Sequence, residues 1–188
     1  MMTHRLLGVV LTLLFAAAGV GAAVQGGDTW ILVDTRKLTL SVLDGDTVLR
    51  TYDEIAIGRA GTTKNKKQGD DKTPLGEFRL VQARAAPKTP FHRFFGLDYP
   101  TVRHAERALL AGVIAPEQYA AINRAFQNGR IPPQTTPLGG YIGIHGIGKG
   151  DPAIHADFNW TQGCIALTNQ QIDDLAQWIH IGMRVVVR

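Results

Sequence analysis

The chain has one cysteine in 188 residues, so no intramolecular disulfide can staple it. Aromatic residues make up only 7%, and no basic run is interleaved with them, which removes the usual footprint of a nucleic-acid binder. The nearest basic cluster, Lys64-Asn65-Lys66-Lys67, is followed at once by Asp70 and Asp71. The 21 Gly and 9 Pro are too few for a collagenous or disordered chain. Repeats and low-complexity tracts are also missing after residue 23. What remains is 45% hydrophobic with a mild net charge of +4, enough material for one domain with a substantial core.

The N-terminus has a positively charged start (Met1 to Arg5), then an apolar run from Leu6 to Val20 and small residues at Gly21-Ala22-Ala23. That layout predicts a secretory signal over residues 1–23 and a mature body over 24–188. The apolar run falls short of the roughly 20 residues of a membrane span, although an uncleaved anchor is the alternative. No cysteine stands near the cleavage region, so a lipoprotein anchor is excluded. Either reading puts the body outside the cytoplasm, in the periplasm or cell envelope. A mildly basic exported protein is drawn to anionic polymers such as a bacterial wall. A single thiol, Cys164, is unusual in a compartment where cysteines pair.

Trp30-Ile-Leu-Val33 and then Leu38, Leu40 and Val42 alternate as half-buried strands do, and Asp44-Gly45 marks a hairpin. A strand is expected over Thr47 to Ile57, a loop over Gly58 to Gly69, and strands over Glu77 to Val81 and Phe94 to Tyr99. Between Pro100 and Pro137 the pattern becomes helical. Thr101 is expected to cap a helix that stops at Gly112, and Pro116 to open a second helix with Tyr119, Ile122 and Phe126 on its buried face. Strand character returns at Gly140 to His145. Thr168-x-x-Gln171 reads as a capping box for a late helix, and Met183 to Val187 as a last strand. The body is therefore mainly β with minor α: one domain, with residues 101–135 as a helical insertion whose length and position suggest a lid.

Two histidines, His145 and His155, lie near Cys164 in sequence. A thiol needs a neighbouring base to ionise at neutral pH, and imidazole is the usual one. Gly163 before the thiol permits a sharp turn that aims backbone N–H groups at an oxyanion. The residues alone leave open both a nucleophilic pair and an inert buried thiol. A zinc set of His145, His155 and Cys164 lacks the tight paired spacing and the further ligands such sites use. His92, His104 and His180 are expected at the surface, and Trp160 in core packing.

His145-Gly146, a variable loop and Thr161-Gln162-Gly163-Cys164-Ile165-Ala166-Leu167 together resemble the signature of the YkuD-type L,D-transpeptidases. Lys72-Thr73-Pro74-Leu75-Gly76-Glu77-Phe78, the Phe95 to Pro100 stretch and Thr136-Pro137-Leu138-Gly139-Gly140 extend the resemblance, so that it covers residues 29 to 188. It implies a YkuD-like β-sandwich with a late C-terminal helix, acting on peptidoglycan stem peptides through a thioester and needing neither metal nor organic cofactor. Carried over, Cys164 is the nucleophile, His145 the general base, and the Gly146 carbonyl the group that orients the imidazole. The amides of Gly163 and Cys164 become candidates for the oxyanion hole, with Thr161 and Gln162 beside them. Acceptors in such a family include a second stem amine, a lipoprotein lysine and water.

Two departures stand out. Gln162 replaces a frequent His, and Ala166 replaces the common Arg two places after the cysteine, which bears on donor choice and on transfer against hydrolysis. Lys149 is one candidate for the missing cation. The alternative reading within the family is an L,D-carboxypeptidase or a hydrolase that releases wall-linked lipoprotein. Cysteine peptidases of the papain or NlpC/P60 kind place Cys before His, the reverse of the order here. A non-catalytic wall-binding module is the remaining rival.

Overall fold

The computed structural model describes residues 29–188; the proposed signal over residues 1–23 lies outside them. Thr29–Asp34 (β1) and Thr39–Asp44 (β2) pair antiparallel, with Ile31, Val33, Leu40 and Val42 fully buried, as their alternation requires. Gly45, at φ 55°, turns the chain into Thr47–Tyr52 (β3). That strand ends earlier than the expected Ile57, because Glu54 takes a positive φ of 57° and redirects the backbone. Residues 55–58 leave the hairpin and form isolated bridges with the cysteine segment, Ala56 with Ala166 and Gly58 with Thr161.

Two short strands, Thr62–Thr63 (β4) and Thr73–Pro74 (β5), close the polar loop in parallel. Gly76–Ala85 (β6) and Arg93–Leu97 (β7) follow. Two helices then pack together, Val102–Leu110 (α1) and Pro116–Gln127 (α2), ended by Gly112 and Gly129, both at positive φ. On α2, Ile122 is fully buried, while Tyr119 and Phe126 are half-buried against the core. Thr101 does occupy the N-cap position of α1, but its side chain does not cap; it bonds His104 Nδ1 at 2.7 Å instead.

The chain continues through Gly143–Gly146 (β8), Pro152–Asp157 (α3), Ile165–Leu167 (β9), Asn169–Ala176 (α4) and Arg184–Val187 (β10). Strand β8 starts later than Gly140, since Tyr141 adopts φ 56°. The Thr168 capping box forms as expected: Thr168 Oγ1 accepts from Gln171 N at 3.1 Å, and Gln171 Oε1 accepts from Thr168 N at 2.9 Å.

Eight strands form one curled sheet in the order β3-β2-β1-β10-β6-β7-β8-β9, the mainly β architecture of a YkuD-like fold. The C-terminal strand lies inside the sheet, parallel to β1 and antiparallel to β6, and brings Val185 and Val187 to the core. Strands β8 and β9 at the far edge are parallel. Parallel neighbours cannot be joined by a tight turn and need a crossover. Residues 147–164 are that crossover, and they carry α3 and the cysteine. No helix among the described residues is long and apolar enough to cross a membrane.

Candidate active site

His145 sits in β8 with Phe94 opposite it on one side and Ala166 on the other. Its ring is almost fully buried. Phe91 stacks on it with centroids 3.8 Å apart, and the edge of Trp160 approaches at 5.8 Å. Nδ1 lies 2.9 Å from the Gly146 carbonyl oxygen. A carbonyl can only accept, so Nδ1 carries the proton and Nε2 keeps its lone pair in the neutral ring. Burial depresses the imidazole pKa to about 4, against the hydrogen bond to Gly146. Gly146 itself admits no side chain: a Cβ there would lie 2.8 Å from Asn169 Oδ1 and from Ile172 Cγ2.

Cys164 ends the crossover two residues before Ala166. Thr161 shapes the turn that holds it, for its hydroxyl donates to Cys164 O at 2.7 Å and accepts from Gly163 N at 3.1 Å. Gly163 has φ 130°, and a Cβ there would meet Lys72 O at 2.6 Å, so the position is confined to glycine. The thiol donates to Tyr141 O at 3.5 Å. Burial pushes its pKa up to about 11, with the Gly143 N–H and the charge of Lys66 acting in the opposite direction. The resting pair near pH 7 is therefore a neutral thiol and a neutral imidazole.

His145, Cys164, Thr161 and Gln162 line one cavity of about 730 Å³. The surrounding motifs form its frame. Thr73 Oγ1 accepts from Gly58 N at 2.8 Å, which seats the 72–75 turn against the 55–58 segment that bridges the cysteine turn at Thr161. Gln134 receives the Tyr141 N–H at 2.6 Å and donates to Tyr99 O at 2.9 Å, fixing the strained residue whose carbonyl faces the thiol. Asn169 clasps Gly148 from both sides, at 2.9 Å and 2.7 Å, and so anchors the start of the crossover.

Several expectations need correction. His104 is not at the surface: it is buried on the inner face of α1, stacked on Phe78 at 5.5 Å, with Nε2 donating to Leu75 O at 3.2 Å. Trp160 is half-buried on the cavity wall, and its Nε1 donates to His155 Nδ1 at 3.3 Å. Lys149 is exposed and does not line the cavity. Helix α1 lines a separate hollow of about 530 Å³ beside residues 64–67, and neither α1 nor α2 lines the cysteine's cavity; of the 101–135 segment only Gln134 and Thr135 reach it. Lys66, buried and also on that cavity wall, was missed. Its signal was the Lys66…Asp70 spacing, which reads in sequence as a solvated charge run.

The curled sheet thus carries a carbonyl-held imidazole and a turn-held thiol on the wall of one cavity. The chain belongs to the YkuD family, the L,D-transpeptidase catalytic domain, whose model matches residues 28–187. That family is enzymatic, remodels peptidoglycan and acts on its stem peptides. Among solved structures, the chain is similar to Bd1075 from Bdellovibrio bacteriovorus, with 21% identity and a TM-score of 0.57 over 86% of this chain and 48% of that one. The helical cell shape determining protein Pgp2 from Campylobacter jejuni gives 23% and 0.58, over 85% and 47%. An L,D-transpeptidase from Xylanimonas cellulosilytica gives 15% and 0.51, over 87% and 62%. These likenesses are of fold, and the chain spans about half the length of the first two. No curated protein matches the chain.

Proposed function

We propose that this chain is a cysteine-dependent L,D-transpeptidase acting on peptidoglycan stem peptides outside the cytoplasm. The observation that supports it most is the hydrogen bond from His145 Nδ1 to Gly146 O, which leaves Nε2 as a base in the cavity that also holds Cys164. In the proposed first step, Nε2 takes the thiol proton as Sγ bonds to the carbonyl carbon of the third stem residue. The π electrons move to oxygen, where the Cys164 N–H is the proposed donor; the Gly163 N–H is already held by Thr161. Collapse of the intermediate breaks the C–N bond, and His145 returns its proton to the departing amine of D-alanine. The thioester then passes to an amine of a second stem, with His145 again serving as base.

The hydrolytic reading, an L,D-carboxypeptidase or a lipoprotein-releasing hydrolase, draws support from Ala166. This fully buried methyl beside His145 offers no charge to hold an acceptor peptide. Mass spectrometry of muropeptides after incubation with a disaccharide tetrapeptide, next to a Cys164→Ala control, separates the readings. Loss of D-alanine with dimer formation establishes transfer, whereas tripeptide alone establishes hydrolysis. Unchanged tetrapeptide in both samples removes free stems as donor and directs the test to lipoprotein-linked wall.

A further inference from the structure

Lysine is almost never fully buried unless it is paired, yet Lys66 is only 4% exposed. Its ammonium donates to Asp70 Oδ1 at 2.7 Å and to Gln162 O at 3.3 Å. Gln162 directly precedes Gly163-Cys164, and a Cβ built on Gly163 would lie 3.0 Å from Lys66 Nζ. The cation thus rests against the backbone of the cysteine turn. Asp70 cannot swing away with it, because its carboxylate also accepts from Lys67 N at 2.8 Å and Lys72 N at 3.0 Å. Among the described residues lining the cavity, Lys66 is the one Lys or Arg; the other ionisable groups besides Cys164 are His145, Asp71 and Tyr141. Asp71 is bound by the exposed Arg59 at 2.6 Å.

We propose that Lys66 is a positioning and electrostatic residue for Cys164, its ammonium fixing the Gln162 carbonyl and its charge stabilising the negative charge that gathers on Sγ and on the attacked carbonyl oxygen. The assignment rests on the reading of Cys164 as nucleophile. A structural clasp alone does not need a charge here. A neutral donor would hold the same carbonyl without the desolvation that a buried ammonium entails. A cation is useful where charge of the opposite sign develops during reaction. The burial that raises the thiol pKa is opposed by this same lysine.

The test is the pH dependence of Cys164 alkylation by iodoacetamide in the full-length protein, which needs no wall substrate. Lys66→Met is expected to move the inflection upward by about one pH unit and to slow alkylation about tenfold near neutral pH. Lys66→Arg, which keeps the charge, is expected to stay within about threefold of the parent. A Lys66→Met profile that coincides with the parent's, or a Lys66→Arg profile displaced as far as that of Lys66→Met, overturns the proposal. If circular dichroism shows Lys66→Met unfolded, Asp70→Asn decides. It removes the counter-charge and is expected to lower the inflection; an unchanged or raised inflection overturns the proposal. Alkylation that depends on Lys66 in a protein inert toward muropeptides keeps the assignment and removes the substrate reading. Turnover without that dependence does the reverse.

Discussion

His145 stands directly opposite Ala166 in the parallel pairing of β8 and β9, two residues beyond Cys164. Residues two apart on an extended segment share a face, so this register carries the thiol to the imidazole's side of the sheet edge. Ala166 is also bonded to Ala56 on its other flank, at 2.8 Å and 3.0 Å, and has no exposed surface.

Ala166→Arg is therefore expected to destabilise the fold by about 3 kcal/mol or more, since a guanidinium would be forced into a closed and unpaired position. Urea denaturation of the variant checks this. A midpoint equal to the parent's would show that the side chain escapes to the cavity.

Gly163→Ala places a methyl against Lys72 O in a backbone region that L-residues avoid. A loss of about 2–4 kcal/mol is expected, together with displacement of the thiol. Slower alkylation of Cys164 in the fraction that folds would register that displacement.

Phe91→Ala opens one face of the His145 ring to water. Burial is the main cause of its depressed pKa, so the value should rise from about 4 toward the ordinary 6.5. An NMR titration of the His145 Cε1 proton reads it directly, and the acid limb of the pH–rate profile should move upward with it. A titration unchanged from the parent's would show that Phe91 does not shield the ring.

Acid should weaken the fold through its buried imidazoles, for burial lowers the pKa of His104, His145 and His155. His104 and His145 are both depressed to about 4 by burial, against about 6.5 in the unfolded chain. Between those values the unfolded state binds more protons, so their contribution is full above pH 6.5 and is lost as pH falls toward 4. Thermal midpoints across that window should drop. In His104→Gln the drop should be visibly shallower, because one of these groups is gone; an identical slope would show that His104 does not contribute.

Elements whose signals are local were legible in the residues alone. Alternation placed Ile31, Val33, Leu40 and Val42 inward, Gly112 and Gly129 stopped the two helices, and Thr168-x-x-Gln171 opened the last. The words around His145 and Cys164 marked the family, because a turn that only glycine can adopt and a His-Gly pair leave their composition in the chain. Which groups meet was set by the folding of the chain in three dimensions. His104 is polar in sequence but lies inside because α1 turns it toward Phe78 and Tyr99. Trp160 reaches His145 through the crossover that a parallel edge pair demands. Lys66 lies 96 positions from Gln162, and no local pattern could separate it from its solvated neighbours. Hydrogen bonds, burial and charge act through space, and it is the curl of the sheet that sets those distances.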